Sequence, residues 1–509
     1  MFTKKDYLII PSVPTPNGRL HLGHVGGPYL RADILKRYLQ MQGHSVLMMC
    51  GSDSFESYVT LQADKEGKYP ENVCNYYHPL IASDLNAMDI SLDYFINPLS
   101  DYWLPTYTKW HNDILKRLIA TDNIKQVSEL FAWDNQNNRY LVGCWLSGYC
   151  PMCKIETESY FCEDCGAHYK PEEAYNNLKY TKYNVKNLFL KLPKTVNLEH
   201  LGINDEHKDK FNAYLKQQHN LFRLTTHSSW GLSFNDSSTL FSYGFIFSYF
   251  LLFGDLAGQL LGLGKNAFAI DSNVTTVASF GHDNFLPFIS SILGISNGCS
   301  EYKPIDYYLI NYFYHLDGNK FSTSRRHAIW VEEAITKHKF SSDIVRAYLA
   351  SIDVQNSTGQ FNFIEFNNYY SWTLSWIEKY IYQVWKPFSL NKITKECCAD
   401  LKEKIIIFLS FQEKNLSLKH FSPHLAINLL DDWLELGQTL NPQQPNYFWW
   451  LQTLALFLYP FMPKFAKNLW QSLGYPNFPA KKYLFIPPPF SIQNKFNNSL
   501  SIHQTDLVY

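Results

Sequence analysis

The chain has 509 residues, 46% hydrophobic and 17% aromatic; at roughly 100–200 residues per domain that is material for about three units, which excludes a small single module and a mostly disordered chain. Lys and Arg number 45 and Asp and Glu 46, a net charge of −1, so a uniformly basic nucleic-acid coat is excluded and a polyanion would have to be met by a local patch. The apolar run before Pro11 is too short for a signal-peptide core, which predicts a cytoplasmic rather than a secreted chain.

Tyr7 to Pro14 reads as a buried strand ending in the turn Pro14-Thr15-Pro16-Asn17-Gly18, followed by a helix to about Met41. Ser45 to Cys50 is a second buried strand, closed by Gly51-Ser52-Asp53, and a further helix begins near Ser57. This strand–helix–strand pattern predicts a doubly wound, Rossmann-like parallel sheet, whose ligands bind at the strand ends. From about Leu118 to Trp230 the texture turns to polar turns and short aromatic strands such as Asn187–Leu192, so an insertion is expected to split the sheet. Apolar runs resume at Thr239–Phe253, Asn273–Phe280 and Tyr307–His315 and are expected to return to it. No charge appears from Ser237 to Gly254, but Ser, Thr and Gly residues interrupt the run, and its aromatic content suits a buried strand and turn rather than a membrane span. After about Asn367 the spacing becomes helical, with Ile377, Tyr380, Ile381 and Val384 on one face and similar stripes at Leu425–Leu436 and Tyr447–Phe461. The stretch from Pro487 to Tyr509 is poor in apolar residues and predicts a loosely held tail.

Two groups of residues carry chemistry. His21-Leu22-Gly23-His24 follows the first strand and its turn, so two imidazoles three residues apart stand at a helix start, where an anion is attracted by the helix dipole and Gly23 permits close approach. Cys150, Cys153, Cys162 and Cys165 form Cys-x2-Cys-x8-Cys-x2-Cys, while the other six of ten cysteines are scattered. Paired knuckles of this kind present four thiolates to zinc, in preference to disulfides, and four protein ligands leave no open position, so the metal is structural.

The turn, strand and helix around His21-Leu22-Gly23-His24 resemble the first unit of class I aminoacyl-tRNA synthetases. Their second signature, Lys-Met-Ser-Lys-Ser, is matched late in the fold by Lys320-Phe321-Ser322-Thr323-Ser324-Arg325. The remaining landmarks resemble methionyl-tRNA synthetase: Pro14, Asn17 and Gly18 in the first loop, Gly51-Ser52-Asp53, the knuckle in the insert, Phe280-Gly281-His282-Asp283, and Leu458-Tyr459-Pro460-Phe461-Met462-Pro463 of an anticodon-binding bundle. The likeness runs from Tyr7 to about Trp470. It implies first and second halves of a catalytic domain over 1–117 and 231–325, a zinc-bearing connective insertion over 118–230, a stem-contact region over 326–370, a helical bundle over 371–480 and a flexible tail over 481–509. It also implies ATP-dependent activation of an amino acid, methionine first, and its transfer to tRNA, by a monomer or dimer with no membrane partner. On the same resemblance His21 and His24 steady phosphoryl oxygens, and Lys320 with Arg325 or Arg326 clamps the phosphates. Gly23, Gly281, Asp283, Ser322 and Ser324 bind ATP with its Mg2+, Asp53 takes the substrate ammonium, and Val13, Thr15 and Tyr249 line the amino-acid side.

The chain departs from that pattern at several places. Thr323 replaces the second loop lysine, Ser54-Phe55-Glu56 stands where the family has Glu-His-Gly, and His282 replaces a lysine. Thr15 replaces a tyrosine, and the tryptophan and histidine walls of the methionine pocket fall near Ser242 and Ala278, with Phe241, Phe245 or Phe247 available to refill the space. Around Trp376-Ile377-Glu378-Lys379 the anticodon-reading Asn and Arg are missing, and Trp449 and Trp450 read as core. Three readings follow: a diverged methionine–tRNA ligase, a paralogue that adenylates another amino acid for another acceptor, and a non-catalytic nucleotide- or tRNA-binding scaffold.

Overall fold

The computed structural model describes residues 4–162, 165, 167–174, 180–196, 198–199, 202–320, 328–385, 396–493 and 496. The chain enters through β1 (Asp6–Pro11), whose Leu8, Ile9 and Ile10 are buried because neighbours cover both faces. It turns into a short helix α1 (Leu22–His24), a π turn over Val25–Tyr29 that contains Pro28, and α2 (Leu30–Met41). Proline brings no N–H to an α-helical ladder, and the chain kinks directly before it, at Gly27 (φ −71°, ψ −111°). β2 (Ser45–Gly51) pairs parallel with β1, and β3 (Tyr94–Ile96) pairs parallel with β2 after α3 (Tyr58–Glu66) and α4 (Pro70–Ala87).

After α5 (Leu104–Ala120) the chain leaves this sheet and builds an antiparallel one. Its strands β4 (Ile124–Asp134), β5 (Thr181–Lys191) and β6 (Leu221–Arg223), the last two connected through α6 (Asp205–Gln217), are joined at the edge by Arg139–Tyr140. A buried ion pair pins it: Arg223 Nη1 donates to Glu129 Oε2 at 2.8 Å, and the guanidinium lies over the Tyr160 ring.

The run from Thr239 to Phe253 does not return to the parallel sheet. Ser238–Leu240 is a short strand of a small antiparallel sheet, and the rest becomes α7 (Ile246–Leu260). Every residue from Ile246 to Gly254 is buried, so the helix shows no polar face for a 3.6-residue period to reveal. Among the described residues no helix is long and apolar enough to cross a membrane.

β7 (Thr275–Gly281) then pairs parallel with β1, in register Ile10 to Ala278, and β8 (Tyr307–Asn311) pairs parallel with β7 across α8 (Phe285–Gly298). The finished sheet has the order β8-β7-β1-β2-β3, split between β3 and β7 by the antiparallel insert. The strand order reverses at β1, so the ends of β1, β2 and β7 open on one crevice.

Beyond it come the hairpin β9 (Tyr314–Leu316) and β10 (Asn319–Lys320), then α9 (Ser342–Ser351) and β11 (Gly359–Phe361). The bundle consists of α10 (Phe363–Ile377), α11 (Ala399–Leu416), α12 (Leu430–Gln438), α13 (Pro445–Leu458) and α14 (Pro463–Ser472). Trp433, Trp450 and Trp470 are fully buried in it, and Trp449 is nearly so, which makes the Trp449-Trp450 pair core. The described part of the expected tail folds back on the bundle: Phe490 N–H donates to Gly474 O (3.1 Å), and Gln493 O accepts from Trp385 Nε1 (3.0 Å).

Candidate active site

His21 is extended (φ −102°, ψ 166°) and caps α1, its Nδ1 accepting the His24 N–H at 3.1 Å. The two imidazoles stack with centroids 3.5 Å apart and 11° between planes; His21 is buried and His24 exposed. Burial, then the neighbouring imidazole, hold His21 well below its ordinary pKa. The neutral ring with Nδ1 as acceptor carries its proton on Nε2, a donor suited to a phosphoryl oxygen. Gly23, half-buried, lies between the two histidines.

The late basic motif is reached from both ends. β9 and β10 set His315 opposite Lys320 across a turn with positive φ at Asp317 (45°) and Gly318 (86°), the left-handed pair that a tight hairpin requires. On the far side, Leu22 N–H donates to Ile329 O (2.9 Å) and Val331 N–H to Leu20 O (3.1 Å), bridging His21 to Trp330. The structure thus pairs the chain just beyond the late motif with the histidine signature through backbone groups, a contact that no motif announced. The Lys320 side chain, Ser322, Thr323, Ser324, Arg325 and Arg326 lie outside the described residues.

Asp53 sits just beyond β2, its N–H on Pro14 O at 2.9 Å, so the first and second strand ends are tied together. Asp53 is 6% exposed; burial, then the charge of Glu56, push its pKa well above the usual carboxylate range, with the Ser242 hydroxyl acting in the opposite sense. Among the described residues no Lys, Arg or His pairs with it. A buried carboxylate in that state favours an incoming cation. Glu56 is itself engaged, capping the start of α3 by accepting Tyr58 N–H (2.6 Å) and the Ser57 hydroxyl (3.0 Å).

Tyr249 is buried below this turn, edge-on to Tyr107 at 4.9 Å, and burial first, with the Asp53 charge adding to it, raises the pKa of both phenols. Val13 is buried at the end of β1, and Thr15 is half-buried. Of the positions assigned to the missing pocket walls, Ser242 turns to Asp53, whereas Ala278 is fully buried in mid-strand opposite Ile10. The aromatic refill candidates belong to other contacts: Phe241 meets Tyr160, Phe245 meets His111 and Phe247 meets Phe268. Sequence reasoning missed Tyr243, which feels the charges of Glu56, Asp53 and Asp283 together; its place next to Ser242 was the available signal. At the end of β7, a Cβ on Gly281 would stand 2.5 Å from Asp283 Oδ1, and His282 stacks on Tyr312 at 5.1 Å.

The four cysteines converge with all sulfurs within 4.8 Å of one another, Cys150 to Cys165 at 3.7 Å and Cys153 to Cys162 at 3.5 Å. Zinc–thiolate bonds of about 2.3 Å in a tetrahedron place sulfurs about 3.8 Å apart, so the cluster fits a metal such as zinc. Among the described residues it is the one such group.

A sheet of this order, the stacked histidines at its switch point and the segment Ile329–Val331 paired beside them define a class I synthetase fold. The structure of Mycobacterium tuberculosis methionyl-tRNA synthetase in complex with methionyl-adenylate is similar, with a TM-score of 0.68 over 96% of this chain and 98% of that one at 12% identity. In sequence, methionine–tRNA ligase of Methanococcus aeolicus is 28% identical over 385 residues, 71% of this chain and 55% of that protein. The methionine–tRNA ligase of Chlamydia pneumoniae is 24% identical over 524 residues, 92% of this chain and 91% of that protein. The chain thus spans about half the length of the first relative and nine-tenths of the second. The family model of tRNA synthetases class I (M) matches residues 7–375, and the chain belongs to that family.

Proposed function

We propose that the chain is an aminoacyl-tRNA ligase that activates methionine with ATP and transfers it to tRNA in the cytoplasm. The observation that carries this reading is the stacked His21–His24 pair with the chain from the late loop bridged to it at Trp330. In the first step a methionine carboxylate oxygen bonds to the α-phosphorus of ATP, and the bond to the β-phosphate oxygen breaks as pyrophosphate leaves. His21 Nε2–H and His24 would donate to the phosphoryl oxygens, and Lys320 with Arg325 or Arg326 would hold the departing phosphates. Gly23, Gly281, Asp283, Ser322 and Ser324 would seat the nucleotide. Asp53, ionised, would hold the substrate ammonium, with Val13, Thr15 and Tyr249 on the amino-acid side. In the second step a terminal ribose hydroxyl of tRNA attacks the acyl carbon and AMP leaves. No bond to the protein forms in either step, so its contribution is positioning and charge stabilisation. Mg2+ would come in with the ATP phosphates and neutralise part of their charge. Cys150, Cys153, Cys162 and Cys165 would hold zinc in a closed, structural site.

A second reading, a paralogue that adenylates another amino acid for another acceptor, is favoured by Ser242 and Glu56 beside Asp53, where the family has other residues. ATP–pyrophosphate exchange with each amino acid in turn separates the two. Exchange with methionine, followed by charging of tRNA, is the expected result. Exchange with a different amino acid alone establishes the second reading, and none with any amino acid overturns both in favour of a nucleotide-binding scaffold.

A further inference from the structure

Three segments distant in sequence meet at one side chain. Arg346, on α9, has no exposed surface, and each of its five N–H donors has an acceptor. Nε donates to Phe461 O (3.1 Å), Nη1 to the carbonyls of Met88 (3.1 Å) and Asp89 (3.3 Å), and Nη2 to Asp33 Oδ2 (2.7 Å) and Pro460 O (3.0 Å). Asp33, on α2, is equally buried; its Oδ1 accepts Ser91 N–H (3.0 Å), and its Oδ2 is shared with Arg37 Nε (2.6 Å). Three residues before Arg346, buried Asp343 caps a helix of the bundle from outside it. It accepts the Phe465 N–H (2.6 Å) and the Lys464 N–H (3.3 Å) in the first turn of α14. Lys464 Nζ closes the ring on Asp89 Oδ2 at 2.8 Å.

α9 therefore grips the nucleotide-binding half through Asp33, Met88 and Asp89, and the bundle through Pro460, Phe461 and the start of α14. The same helix reaches the histidine motif: the Tyr314 hydroxyl lies 2.9 Å from Leu349 O and 3.3 Å from Gly26 O, in the turn that follows His24. A buried ion pair is weak evidence for stability, because apolar residues of similar volume do as well. What apolar residues do not supply is direction, and four of the five acceptors of Arg346 are carbonyls on two different bodies, each with a preferred angle. The arrangement fixes an angle more than it adds cohesion.

We propose that Arg346 is a positioning residue for the transfer step: it holds the bundle at one angle on the nucleotide-binding half, so that a tRNA bound by the bundle delivers its end to the His21 and Asp53 site. This rests on the reading of the chain as a tRNA ligase. Adenylate formation uses groups of the nucleotide-binding half alone, so the two half-reactions respond differently to loss of the clamp.

The test compares Arg346→Met, Arg346→Lys and Lys464→Met in the full chain, with circular dichroism to show folding, pyrophosphate exchange for the first half-reaction and tRNA charging for the whole. In Arg346→Met, exchange is expected to keep its kcat and methionine KM within about twofold, while kcat/KM for tRNA falls about tenfold or more. Arg346→Lys, with three donors in place of five, falls between Arg346→Met and the wild type. Lys464→Met leaves Arg346 and Asp33 paired and loosens only the rim; it shows the same split more weakly, and it decides the matter where Arg346→Met does not fold. Equal losses in exchange and charging, or no loss in either, overturn the proposal. A wild-type chain that exchanges but charges no tRNA overturns the ligase reading and this inference with it, whereas a wild type and an Arg346→Met variant that charge alike overturn the inference alone.

Discussion

Gly51, the last residue of β2, stands where a side chain has no room. A Cβ there would overlap the Tyr249 hydroxyl and lie 2.9 Å from its Cζ and 2.7 Å from the Ile96 carbonyl oxygen. Neither neighbour yields cheaply. Tyr249 is 1% exposed and wedged between Tyr107 and Phe253, while Ile96 is paired with Gly51 and accepts the Ser52 N–H at 3.0 Å. Gly51→Ala should therefore cost the ~1–3 kcal/mol typical of an overpacked core. The strain falls on the turn that carries Asp53, and since about 1.4 kcal/mol is tenfold in binding, the methionine KM should rise by at most roughly five- to 140-fold. Tyr249→Phe removes the overlapping oxygen, so the double variant should recover about 1 kcal/mol of coupling. Chemical denaturation and methionine-dependent exchange of the four proteins measure both quantities. A Gly51→Ala protein within about 0.5 kcal/mol of wild type with an unchanged KM, or a cycle with no coupling, would refute the reasoning.

His24→Ala removes one candidate donor to the phosphates and should lower kcat for exchange by about 10²–10³, with the methionine KM little changed; a fall in KM-dependent binding alone would count against that role. The purified chain should carry about one zinc per molecule by elemental analysis, and Cys162→Ser should lose it together with protease resistance of the insert. Arg223→Met leaves Glu129 buried without its partner and should destabilise by about 3–5 kcal/mol, most of it regained in Glu129→Leu/Arg223→Met, as read from melting curves. Burial pushes the Asp343 carboxyl up to about 6. The stability it lends is full below its unfolded pKa and lost as pH rises through 6, about 3 kcal/mol in all. Asp343→Asn should flatten that dependence, and a wild-type-to-variant difference that is the same at acid and neutral pH would argue against it.

The elements that sequence made legible are those whose burial leaves a pattern. β1, β2 and β7 are covered on both faces and appear as short apolar runs between turn signals, and the bundle helices other than α13 have one wet face each. α7 has none, so its uncharged run carried no period, and its aromatic content pointed to a strand. Motifs located the histidines and the cysteines because their chemistry depends on spacing along the chain. The bridge from His21 to Trp330 crosses more than 300 positions and is made by backbone groups, which every residue carries; nothing in the residue types could mark it.

The amino-acid side shows the same limit in a sharper form. Judged one position at a time, Ser242 and Glu56 are losses from a family pattern. Placed together, they act on one group in opposite senses: the Ser242 hydroxyl donates to Asp53 and favours its ionised form, while the Glu56 charge and burial disfavour it. Glu56 is fixed where it is by capping α3, so its charge is a constant part of the site's field rather than a second ligand. An ammonium entering beside Asp53 would relieve both the burial and the repulsion, whichever side chain that amino acid bears. On the proposed function, recognition of the shared ammonium group would be kept by a different set of neighbours, and discrimination between amino acids would fall to the walls beyond Asp53. Those walls would include Thr15 and Tyr243, each of which keeps some exposed surface beside buried aromatics.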